Sequence, residues 1–337
     1  MTNIIKCLYE IPYDDCTLNI LNNGHSCNKE IINKVQIIIN KKEINNISEY
    51  KFHKKGKYEI IIKEIEIIKD MSYMFFDITN LISIDISNIN FANVTNMSYM
   101  FSKCSLLQKV NLSNFRANSL LNMSHMFSEC KSLKEIKLSN FKVDNIINMS
   151  YMFNECKVLE KIKLSNFRVN NLKDMSYMFN QCSSLKTIDL TNLNANSLID
   201  MSYMFNNCSS LRNIDLSKLN LNNLINMSNM FSNCSSLKSI NLSKLNANSL
   251  KNMSYMFNHC SSLASINSSN IKIENVINMS YLFNQCYSLK TIDLANFNCI
   301  KIEDMSFMFN ECRLLKNIDL SHFKSENIIT KKASLFF

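Results

Sequence analysis

The chain has 337 residues, of which two are glycine, one is proline and none is tryptophan, and 37 basic against 28 acidic side chains give a net charge of +9. With glycine confined to Gly24 and Gly56, a phosphate loop, a dinucleotide fingerprint and a nucleophile elbow are all excluded, since each needs two glycines close together. The charges are interspersed without a block of one sign, so they favour anionic partners only weakly, and 46% hydrophobic residues suffice for a large core.

Residues 1–66 read as a β-rich N-terminal cap domain. The first ten residues lack a signal-peptide pattern, because Glu10, Asp14 and Asp15 interrupt any apolar run. No stretch approaches the roughly eighteen apolar residues of a membrane span. The sequence alone therefore predicts a soluble, cytoplasmic chain with no membrane insertion. Strands are expected at residues 4–9, 18–20, 35–39 and 50–52, and the loop 53–57 should close a hairpin onto Tyr58, Ile60 and Ile62. Residues 65–70 already match the last six positions of the repeat that follows, so the cap should merge into it and hide its apolar end.

From residue 71 the pair Met-Ser recurs at Met71, Met97, Met123, Met149, Met175, Met201, Met227, Met253, Met279 and Met305, always 26 residues apart. Ten units fill residues 71–330, an array that with its lead-in spans 67–330. In residues 175–200, Met175, Met178, Phe179 and Cys182 have the i, i+3, i+4, i+7 spacing of one helical face, with Asp174 placed to cap it. Leu185, Ile188 and Leu190 then lead into a short strand, and Leu193 and Leu198 return inward. Each unit thus predicts one coil of an α/β repeat solenoid, with a parallel sheet on a concave side and short helices on the other. Ten stacked strands should make a sheet roughly 43 Å long. Turns at Asn170, Asn196, Asn222 and Asn248 are expected to use the tolerance of asparagine for left-handed φ. Residues 331–337 form a C-terminal tail; if it leaves the last strand bare, that edge offers homo-oligomerisation.

The run Met204, Phe205, Cys208, Leu211, Ile214 and Leu216, with Asn226-Met227-Ser228 flanking it, resembles the BspA-like class of leucine-rich repeats. The resemblance covers residues 71–330, departing at Ile78, which replaces the cysteine, and at Ser268, which replaces a strand leucine. It implies a leucine-rich-repeat solenoid of the kind found in surface proteins of bacteria and protists and associated with adhesion or protein binding. It carries no catalytic residues, and it implies the cell surface rather than the cytoplasm.

Nine cysteines form one column, Cys104, Cys130, Cys156, Cys182, Cys208, Cys234, Cys260, Cys286 and Cys312. On an apolar face, without a C-x-x-C or paired histidines, they read as small buried thiols rather than metal ligands. Cys7, Cys16 and Cys27 would staple the cap if the chain is exported. His125 and His259 sit in variable positions and read as surface substitutions. The expectation is a chain with no enzyme activity, no cofactor and no metal. The solvent side of the strands is the expected interaction face. It carries Lys109, Lys137, Lys161 and Lys163 beside Asp189, Asp215, Asp293 and Asp319, a pattern that suits an acidic protein ligand and not a nucleic acid. An intracellular scaffold is the alternative reading. Asn-Met-Ser at Asn96, Asn122, Asn148, Asn226, Asn252 and Asn278 would separate the two by glycosylation. Ser268 in an apolar column should loosen its coil, so that Ser268→Leu would raise the melting temperature.

Overall fold

A computed structural model describes residues 3–24, 30–64, 66–87, 89–138, 141–164, 169–190, 193–316 and 318–320. The expected C-terminal tail, Cys27, His25 and His322 lie outside these residues. The chain divides into two units, Met1–Leu159 with Asn166–Val169 and Glu160–Ser165 with Asn170–Phe337, so the boundary falls within the fourth repeat. No helix among the described residues is long and apolar enough to cross a membrane.

Unit one opens with β1 (Ile4–Ile11), which buries every second residue as its alternation predicts. There follow β2 (Cys16–Asn19), α1 (Glu30–Lys34), β3 (Val35–Ile39), β4 (Lys42–Asn45), β5 (Glu49–Phe52) and β6 (Gly56–Glu64). The hairpin expected at residues 53–57 does not form: β5 pairs with β2, while β6 runs between β1 and β3. Gly56, at φ 135°, makes the passage from one sheet to the other. The hairpin is instead β3–β4, whose loop residues Asn40 and Lys41 have φ of 52° and 66°, as a type I′ turn requires. β1 then pairs antiparallel with β7 (Leu81–Asp85), the first strand of the repeats. Parallel strands β8 (Lys109–Asn111) and β9 (Glu135–Lys137) complete a seven-stranded sheet.

Position 1 of each repeat is the methionine of Met-Ser. The predicted helices over positions 1–8 are absent, and α1 is the one helix among the described residues. Position 1, 3, 5 and 7 amides donate to the next coil instead. In one repeat these bonds run from Met175 to Asp200, Tyr177 to Ser202, Phe179 to Met204 and Gln181 to Asn206, at 2.8–3.0 Å. Between them, the amides of Met178, Asn180 and Cys182 turn back three residues, to Met175, Tyr177 and Phe179. An α-helix over these positions needs the amides from position 5 onward for its own i−4 carbonyls, and those of positions 5 and 7 go to the next coil, so successive tight turns form in its place. Asp174 still accepts a bond at this start, from the Ser176 amide at 2.8 Å, but it closes an Asx turn.

The first and last of these turns place their third residue, Tyr177 and Gln181, at positive φ, as a type II turn does. In all ten repeats position 3 and position 7 lie at φ between 55° and 64°. These are mostly Tyr at position 3 and Asp, Lys, Glu, Gln, Asn or His at position 7. Asn170, Asn196, Asn222 and Asn248 are not among the left-handed residues. The Asn196 and Asn248 carbonyls accept the amide side chains of Asn223 and Asn275 from the following coil, at 2.7 and 2.6 Å.

Inside, the Met, Phe, Cys and Leu columns are buried as expected. Phenylalanine rings stack from coil to coil, at 5.3–5.5 Å in unit one and 5.5–5.7 Å in unit two. Thiols of the column also donate to a backbone carbonyl of the preceding coil, as Cys208 does to Phe179 and Cys234 to Phe205, both at 3.1 Å.

The strands do not make one ten-membered sheet. Unit two holds β10 (Lys161–Lys163) paired with β11 (Thr187–Asp189), and separately β12 (Asn213–Asp215), β13 (Ser239–Asn241) and β14 (Ser265–Asn267). Residues 291–294 form no strand. Ser268 stands at the last of these interruptions, after β14. Where the ladder continues, the amides of Leu216 and Leu242 donate to Asn241 and Asn267 of the next coil. Ser268 instead gives its hydroxyl to the Asp293 carbonyl at 2.8 Å. The hydroxyl is therefore satisfied, and the expected rise in melting temperature for Ser268→Leu loses its basis.

Two substitutions test this geometry by thermal or urea unfolding. At Gln181, a helix would tolerate Ile better than Gly, whereas a left-handed turn reverses the order; Gln181→Gly should be the more stable of the two by about 1–3 kcal/mol. Ser268→Ala, which strips the donor from Asp293, should cost about 1 kcal/mol.

Candidate interaction surface

The strand face is built from positions 13 and 15, which flank the inward residue of position 14. In unit one it carries Ser83, Asp85, Lys109, Asn111, Glu135 and Lys137. Glu135 lies between two lysines, 4.0 Å from Lys109 Nζ and 3.7 Å from Lys137 Nζ. Where β1 joins β7, the face sinks into a recess of about 470 Å³, rimmed by Lys6, Glu59, Asp85, Lys109, Glu135 and Lys137. Burial raises the Asp85 carboxyl, but bonds from Ser87 and Asn111 and the nearby charge of Lys6 outweigh it and hold the group below its usual range. The recess is therefore lined by side chains of both signs.

In unit two Lys161 is exposed, and Lys163 stands in register with Asp189 across β10 and β11. Asp189, Asp215, Asp293 and Asp319 are exposed. The position-15 side chains also close a turn. Asp215 accepts from the Ser217 amide at 2.8 Å and Asp293 from the Ala295 amide at 2.9 Å, as Asp85, Asn111, Asn241 and Asn267 do in their coils. The bonds from Ser217, with help from Asn241 and Lys218 and against partial burial, lower the Asp215 carboxyl. The aspartate stripe is thus a structural feature as well as a charged one. Lys109 and Lys137 belong to unit one, Lys161 and Lys163 to the strand of unit two, and each pair stands within its own unit.

Position 12 carries a basic row that the alternating strand pattern did not flag. It reads Lys186, Arg212, Lys238, Ala264, Lys290 and Lys316, all exposed. A lysine in the repeat consensus beside the buried leucine of position 11 was the available signal.

Other candidates resolve differently. Among the described residues, no group of three or more His, Cys, Asp or Glu is placed to hold a metal ion. Burial pushes the column thiols upward, Cys312 to about 12. The glycosylation patterns sit on half-buried asparagines whose Oδ1 atoms accept the amide two residues on, for example Asn226 from Ser228 at 3.0 Å. These asparagines also bridge to one another between coils, as Asn226 does to Asn252. A glycan there would compete with the turn, so its absence would not report the compartment.

His259 is exposed, whereas His125 is sandwiched in a row of stacked rings, 4.2 Å from Tyr99 and 4.3 Å from Tyr151. Burial lowers its pKa from 6.5 to about 4. A folded-state pKa below the unfolded one means that the unfolded chain binds the proton first, so this contribution to stability falls as pH drops from about 6.5 toward 4. The urea midpoint should therefore drop more between about pH 7 and about 4.5 in the wild type than in His125→Tyr.

A family model described as "Mycoplasma protein of unknown function, DUF285" matches residues 46–161, 133–241 and 225–337. No curated protein matches the chain. Among solved structures it is similar to a leucine-rich repeat protein from Bacteroides ovatus, at 18% identity and TM-score 0.39 over 75% of this chain and 76% of that one. It is also similar to a leucine-rich repeat protein of T. pallidum, at 17% identity and TM-score 0.35 over 76% of this chain and 84% of that one. An internalin from Listeria monocytogenes matches at 14% identity and TM-score 0.32, over 72% of this chain and 70% of that one.

Proposed function

The chain belongs to the DUF285 family of Mycoplasma proteins of unknown function, and we propose that it is a non-enzymatic β-solenoid that binds a protein ligand on the solvent side of its strands. One observation carries this reading: the recess of unit one, where Lys6, Lys109 and Lys137 alternate with Glu59, Asp85 and Glu135 around a floor that includes Ser83. A solenoid offers its partner a long flat strand face, and alternating charges on it give register to a protein surface better than to a uniform polyanion.

An acidic segment of the ligand would displace Glu135 from Lys109 and Lys137. Lys161 and Lys163 offer the same chemistry in unit two, beside Asp189, Asp215, Asp293 and Asp319. The pairing of β1 with β7 supports residues 1–66 as a cap on the array of 67–330. The BspA-like resemblance favours a surface or adhesion role over an intracellular scaffold.

A photo-crosslinking residue at Ser83 should give a protein adduct in cells, and Lys109→Glu with Lys137→Glu should reduce its yield about tenfold or more, as expected when interface charges are reversed. An adduct of undiminished yield, or none above that from Asn229 on the turn side, would refute the assignment.

A further inference from the structure

In unit two the position-12 row and the position-15 row are related coil by coil. Position 12 is Glu160, Lys186, Arg212, Lys238, Ala264, Lys290 and Lys316; position 15 is Lys163, Asp189, Asp215, Asn241, Asn267, Asp293 and Asp319. Each cation at position 12 has Asp, or in one case Asn, three residues on. Ala264 is matched by neutral Asn267, and the acidic Glu160 by Lys163. Position 13 between the rows holds the short polar side chains of Thr187, Asn213, Ser239, Ser265 and Thr291. The rows are held straight by backbone bonds, from the amides of Lys186, Arg212, Lys238 and Ala264 to the position-12 carbonyl of the coil before.

Position 12 is exposed just before the strand and position 15 within it, so a row of cations runs beside a parallel row of anions, at most about 10 Å away along the chain, and the two become self-complementary under one operation. A two-fold axis along the stacking direction lays position 12 of each coil over position 15 of the same coil in another copy, with strands antiparallel. It brings Lys186 to Asp189, Arg212 to Asp215, Lys290 to Asp293 and Lys316 to Asp319, and from the Lys186 coil onward no like charges meet; Lys161 lies in the coil before this strip. An axis along the strands would set the cations of position 12 against each other. The repeats of unit one break the rule, because Lys134 and Lys137 share one coil. We propose that the strand face of unit two is a self-association surface whose partner is a second copy of this chain, related by a two-fold axis along the coil stack.

The turn bonds at Asp215 and Asp293 hold those carboxylates in place for such pairing. Glu160 lies 2.7 Å from Lys186 Nζ, a position that Asp189 of the other copy would take over. From Lys186 to Lys316 the strip is about 24 by 10 Å. That is small for a protein interface, so the pair should be transient and salt-sensitive. None of the residues of the unit-one recess is involved.

Sedimentation equilibrium of the full chain at low ionic strength tests the arrangement. The wild type should self-associate and dissociate as salt is added. Lys186→Asp with Arg212→Asp sets Asp against Asp, and Asp189→Lys with Asp215→Lys sets Lys against Lys, so each double variant alone should be monomeric. An equimolar mixture of the two should recover the wild-type association, because each row then meets its opposite. Because Asp215 also accepts the Ser217 amide, Asp189→Asn with Asp215→Asn serves as the control that keeps a turn acceptor; it should weaken the association as well, and an unweakened association would overturn the proposal. A monomeric wild type, an associating double variant or a monomeric mixture would each overturn the proposal. So would a wild type that remains monomeric while the Asp→Lys variant gains retention on heparin, which would assign the basic row to a linear polyanion.

Discussion

Hydrogen bonds from one coil to the next at positions 1, 3, 5 and 7 are the constraint around which the repeats are arranged. They claim every second amide of a segment whose side chains are spaced for a helix, and the remaining amides can then only close tight turns. Left-handed residues at positions 3 and 7 follow. A left-handed tyrosine is unfavourable by itself. Stacking of its ring on the neighbouring coils, for example Tyr177 on Tyr203 at 4.4 Å, compensates. Proline would remove a donor from this network, and none occurs after Pro12.

The buried columns were legible because burial depends on which residues face inward, and a chain of three-residue turns repeats its inward face much as a helix does. Met175, Met178, Phe179 and Cys182 are buried in either conformation. The backbone was not legible from the same spacing, because the bonds that decide it run to residues about 25 positions away. Glycine would have marked the left-handed positions, but Tyr and polar residues occupy most of them. Strands at residues 35–39 and within β1 were visible in their alternation. The partner of β5 was not, since the loop after it resembles a hairpin turn while Gly56 leads into a different sheet.

The strand face was read as two alternating columns, which found Lys109 and Lys137 and missed position 12. That position follows an inward leucine, where strict alternation had not yet begun. The aspartates of position 15 then proved to have two tasks, closing a turn and presenting a charge. A turn needs only an oxygen, which Asn supplies equally well, as Asn241 and Asn267 do. The turn alone therefore does not account for Asp at Asp215 and Asp293, beside Arg212 and Lys290, while Lys238 has Asn241.

Because each coil bonds to the next through the same set of atoms, the junctions within either unit are chemically interchangeable. Loss or gain of 26 residues at such a junction joins two coils that already know how to meet, whereas 25 or 27 would put a carbonyl where an amide is needed. Gain or loss of 26 residues therefore lengthens or shortens the protein by a whole coil, so that array length is a variable that folding does not oppose.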